Sequence, residues 1–72
     1  MNEPRVYEIR VRGTLTERWS GWFEGLEIEQ TQQDETILKG LIIDQAALMG
    51  VLTKIHSLNL ELISVQRLTA EG

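Results

Sequence analysis

The chain opens its pattern with VYEIRVRG, where Tyr7, Ile9 and Val11 alternate with Glu8, Arg10 and Arg12. A period of two, one face apolar and the other charged, predicts a half-buried strand, and Gly13 ends it. LEIEQTQ repeats the alternation with Leu26 and Ile28 against Glu27 and Glu29, and TILKGLII follows after the polar QQDE. The short polar link predicts a hairpin between these two strands.

The period then changes. Ala47, Leu48, Val51, Leu52, Ile55 and Leu58 fall at the three-and-four spacing of one helix face. Asp44 stands where an N-cap carboxylate accepts from the free N–H groups of the first turn. Ile43 and Leu48 flank it as a hydrophobic staple would. Asn59 suits the left-handed residue that closes a helix, and LELISVQRL predicts a last strand.

Between the first two strands lies TERWSGWFEG. Trp19, Trp22 and Phe23 stand at i, i+3 and i+4, one side of a short helix. Thr16 would cap it and Gly25 would stop it. Gly21 inside costs about 1 kcal/mol relative to alanine, so a 3₁₀ turn serves equally well. Each aromatic can bury about 150–250 Å², which a small domain needs for its core. The three are therefore expected to plug the core, with one tryptophan, Trp19 or Trp22, half exposed at a rim where a partner or ligand could touch it.

The expected fold is α+β, one domain over residues 1–72 with an ordered core of about 5–69. Its order is βαββαβ, the ferredoxin-like arrangement: a four-stranded antiparallel sheet, a short first helix, and both helices on one face. The opposite face is then open. Alternation points Leu38, Gly40 and Ile42 toward the helices, and Ile63 and Val65 with them. Ile37, Leu41, Leu62 and Leu68 then gather on the open face as an apolar patch amid charge, a candidate interaction surface. A one-residue shift in either strand would bury these side chains instead.

Composition narrows the possible roles. At 72 residues the core is small, and such domains usually gain stability from disulfides, a metal or a partner chain. With no cysteine and one histidine, disulfides, thiolate sites and multi-histidine metal sites are excluded, leaving oligomerisation. The net charge of −4 supplies no basic surface for nucleic acid. MNEPRVYEIR has no apolar run, so no signal peptide or membrane anchor is expected, and a cysteine-free chain fits the cytoplasm.

No catalytic constellation emerges. His56 reads as a surface histidine near a helix C-terminus, and Ser57, its immediate neighbour, would point elsewhere. Glu27 and Glu29 share a strand face with Glu8, but Arg10, Arg12 and Lys39 project from that same face, so cross-strand ion pairing accounts for them. The glycines are isolated and form no phosphate loop, while Gly40 sits inside a strand under the long helix, where a missing side chain allows close packing.

The segments YEIRVRG (Tyr7–Gly13), WSGWFEGLEI (Trp19–Ile28) and LKGLIIDQAALMGVLTKIHSLNLELISV (Leu38–Val65) together resemble a family of short bacterial proteins with no established activity. The resemblance therefore implies no catalytic, cofactor-binding or metal-binding residues. The expected function is that of an interaction or assembly module, a homo-oligomer or partner of another protein, not an enzyme and without cofactor. The alternative is a small-molecule-sensing regulatory domain with its site at a dimer seam.

Overall fold

The computed structural model describes residues 5–15, 19, 21–23 and 26–68. They form strand β1 (Arg5–Arg12), β2 (Glu27–Gln30), β3 (Glu35–Ile42), helix α1 (Gln45–Ser57) and β4 (Glu61–Leu68). All strand pairs are antiparallel, in the order β2-β3-β1-β4. The fold is α+β, with four strands and, among the described residues, one helix.

Register explains the core. Ile9 lies opposite Leu38 and Val11 opposite Thr36, while Ile28 flanks Leu38 from β2. Ile9, Val11, Leu38 and Ile42 are buried on this face, covered by Val51 and Ile55 of α1 and by Leu15, Phe23 and Leu26. The same alternation sends Glu8, Arg10 and Lys39 to the other face, as expected.

Both ends of α1 are closed as the sequence predicts. The Asp44 carboxylate accepts from the Ala47 N–H at 2.8 Å. At the other end Asn59 takes φ 63°, the Asn59 N–H donates to the His56 carbonyl at 2.9 Å, and the Leu60 N–H reaches back to the Ile55 carbonyl at 3.3 Å. This is a Schellman closure with asparagine in the left-handed position.

Polar contacts tie down the loops. Thr36, fully buried, donates its hydroxyl to the Gly13 carbonyl at 2.7 Å and accepts from the Leu15 N–H at 3.1 Å. It thus satisfies the backbone where the chain leaves β1. Gly13 itself has φ 117°, a conformation that requires glycine. Thr31 N–H donates to the Glu35 carbonyl at 2.9 Å and Asp34 turns the β2–β3 hairpin with φ 64°.

Three expectations need correction. First, no first helix forms among the described residues. Trp22 N–H donates to the Trp19 carbonyl at 3.0 Å and Phe23 N–H to the same oxygen at 3.2 Å, a single turn. Gly21 gives a longer helix little support. The expected cap Thr16 and stop Gly25 lie outside the described residues. The two-helix ferredoxin-like arrangement is accordingly reduced to its coarser form, a sheet with one helix.

Second, β4 is irregular. Ser64 pairs with Arg10 but Leu62 pairs with Val11, so Ile63 is an extra residue opposite the Arg10–Val11 step. This puts Leu62 on the row of Val11, the helix-side row, and not on the open face. Third, the close neighbour of Gly40 is Leu26, not α1. A Cβ at position 40 would lie 2.7 Å from Leu26 Cδ2 and 3.4 Å from Leu26 Cα.

Two stability predictions follow from these contacts. Thr36→Val keeps the shape but strands a carbonyl and an N–H, so urea unfolding should register a loss of about 1–3 kcal/mol, more than Thr36→Ser. A neutral Thr36→Val would contradict the role given to the hydroxyl. Gly40→Ala should cost about 1–3 kcal/mol by overpacking against buried Leu26, measured the same way.

Candidate functional site

The aromatic turn divides its residues sharply. Phe23 is fully buried, whereas Trp19 and Trp22 are 36% and 45% exposed. One aromatic plugs the core and two lie at the rim, where the sequence suggested one. The indoles meet edge to face, with centroids 6.3 Å apart at 82°. Lys54 of α1 donates to the Trp22 carbonyl at 2.7 Å and holds its ammonium 5.5 Å from the Trp22 ring centre. This contact straps the turn to the helix, and its cation–π part contributes roughly 0.5–1 kcal/mol at an exposed site.

Beside the turn, a pocket of 130 Å³ lies among Phe23, Leu26, Ile42, Ala47 and Val51, with Leu41 and Ile43 also lining it. Metabolite pockets usually run to about 300–1,000 Å³, so this one suits a single apolar side chain better than a metabolite.

On the open face the register stacks rows across the sheet. Leu41, Val6 and Leu68 form one apolar row over β3, β1 and β4. The next holds Glu27, Lys39, Glu8 and Gln66, and the next Glu29, Ile37, Arg10 and Ser64. Of the four residues expected to form a patch, Leu41 and Leu68 share a row, Ile37 stands two rows away among charges, and Leu62 leaves the face at the bulge. Val6 joins the patch unannounced. Its parity with Glu8 and Arg10 was the signal that could have found it.

Arg10–Glu35 and Arg12–Glu61 pair across strands, while Arg10–Glu8 lies within β1. Arg10 reaches Glu35 at 3.0 Å and Glu8 at 3.8 Å, and Arg12 reaches Glu61 at 3.2 Å. The Arg12–Glu61 pair, exposed on both sides, contributes about 0–1 kcal/mol. Ser57 donates to the Thr53 carbonyl at 3.1 Å within its own helix, and His56 is exposed beside it. Among the described residues no group of three or more His, Asp or Glu side chains could hold a metal ion, and no helix is long and apolar enough to cross a membrane.

The model of a family described as a domain of unknown function (DUF8691) matches residues 6–66. The chain belongs to that family. No curated protein and no solved structure matches it. The DUF8691 match starts one residue inside β1 and ends two residues before the end of β4, so it takes in the sheet, the helix and the aromatic turn together.

The least expected feature is β4. Six of its eight residues are exposed, including Leu62, Ile63 and Val65 at 45%, 38% and 36%. Ile63 and Val65 were expected under the helices. Val65 does lie on the row of buried Ile9, but nothing covers it fully.

Unequal roles for the aromatics give a direct check. Phe23→Ala should cost about 3–5 kcal/mol in urea unfolding. Trp22→Ala, with solvent on nearly half of the side chain's residue surface, should cost less than half of that. Equal losses would contradict the division into plug and rim.

Proposed function

We propose that this protein is a small interaction module that self-associates through its sheet. The observation that carries the reading is the exposed run Leu62, Ile63 and Val65 on one strand. Contiguous apolar surface on a chain this small marks an interaction site more often than an accident. A short chain without cysteine also gains most readily from a partner copy. The module carries no catalytic role and needs no cofactor in this reading, and its setting is a bacterial cytoplasm.

The ferredoxin-like assignment belongs to the same proposal. It is supported by β1 lying between β3 and β4 with β2 outermost, and by a single turn standing where the first helix would be. A sensing role within one chain gains nothing from the 130 Å³ pocket, and a metabolite site would have to form at a seam between copies.

Light scattering after size exclusion tests the reading. The mass should rise from 8.2 kDa toward twice that value as concentration reaches the order of 100 μM. A mass fixed at one chain throughout would refute self-association. A sensor would differ again, gaining thermal stability from one class of metabolite.

A further inference from the structure

The two edges of the sheet are built differently. β2 is four residues long, and its Glu27 and Glu29 are exposed. Short length and charge are the usual devices that keep a sheet edge from pairing. β4 is eight residues long, without proline or lysine, and carries exposed Leu62, Ile63 and Val65. Its outer side meets no other strand among the described residues, because β1 occupies only the inner side, and so presents N–H and C=O groups to a second copy.

Charge separates the edges in the same direction. Two copies of β2 side by side would bring four carboxylates together, whereas β4 holds one Glu61 and one Arg67 and is neutral as a strand. A second copy therefore meets no like-charge barrier along β4, although each chain carries −4 overall.

Helix α1 adds apolar surface beside this edge. At 100° per residue, Ala47 and Lys54 lie on one flank of the Val51–Ile55 stripe, and they face the pocket and Trp22. Leu48 and Leu52, both only partly buried, lie on the opposite flank, with exposed Met49 beyond them. That flank is turned away from the aromatic turn, toward the β4 side of the sheet.

We propose that two copies join edge to edge along β4, antiparallel, into one eight-stranded sheet with both α1 helices on the same face. This geometry rests on the self-association reading and specifies its seam. A two-fold axis perpendicular to the sheet makes the contact isologous, so each Leu48–Leu52 flank meets its own counterpart and Val65 lies within the seam. The regular run Ser64–Leu68, beyond the bulge, is where the strands pair. The paired run of five residues is about 17 Å long. Over the molecule's 20 Å shortest dimension, it offers on the order of 350 Å² per copy, or about 700 Å² in all. That is the size of a weak association that forms only as concentration rises.

The chain has no cysteine, so single cysteines report the seam cleanly. Residues opposite one another in an antiparallel pair have Cα atoms about 4.5–5.5 Å apart, inside the span of a disulfide. Ser64→Cys, Val65→Cys, Gln66→Cys, Arg67→Cys and Leu68→Cys should each be oxidised mildly, with Leu41→Cys as the open-face comparison. The expected result is covalent dimer at one or two neighbouring β4 positions, falling off to either side, and little from Leu41→Cys. Val65→Lys, at an exposed position, should weaken dimerisation at least tenfold with the far-ultraviolet spectrum unchanged, while Leu41→Glu should leave the mass unchanged. A dimer by mass that crosslinks through Leu41→Cys and not through β4 overturns the edge geometry and leaves self-association standing. A single-chain mass for the parent protein overturns both.

Discussion

Coverage of the sheet is the constraint on which the rest depends. Helix α1 has 13 residues, about 20 Å of rise and about 10 Å of width. Four strands spaced about 4.8 Å apart present a face about 19 Å across. One helix covers about half of it. The chain fills one uncovered side with Phe23, Leu26 and Leu15, drawn in by the turn that Lys54 straps to the helix. The other side, over β4, receives only part of α1, and there the apolar side chains stay in contact with water.

This imbalance accounts for details that look unrelated. Gly40 lacks a side chain because Leu26 must cross directly above it to reach the core. Thr36 is polar yet fully buried because the chain leaving β1 brings a carbonyl and an N–H into the same covered corner. β2 can be short because it lies on the side already sealed, with Ile28 as its contribution beside Leu38. β4, on the unsealed side, has no such support and carries the bulge at Ile63.

Much of this was legible in the sequence. Alternation in VYEIRVRG and TILKGLII gave β1 and β3 with their faces, because each strand has one charged and one apolar side. Asp44 and Asn59 marked the two ends of α1 because capping is local chemistry. The bulge was not legible. LELISV is apolar at both parities, so its pattern cannot choose between faces, and the extra residue is defined only against β1. The aromatic turn misled for another reason. Burial arithmetic asks how much apolar area a domain needs, not where the backbone lets it go, and Trp19 and Trp22 ended at the rim. Over half of a folded surface is apolar in any case. The candidate patch was therefore half legible: Leu41 and Leu68 share the open face, Val6 joins them, and Leu62 does not.

The central claim is that the uncovered β4 side is where a second copy sits. Amide hydrogen exchange, residue by residue and at two protein concentrations, addresses it most directly. β4 amides that face the free edge should exchange fast in dilute protein and slow as concentration rises, while those on the free edge of β2 stay fast throughout. Free-edge β4 amides that remain fast at a concentration where the mass has doubled would contradict the account.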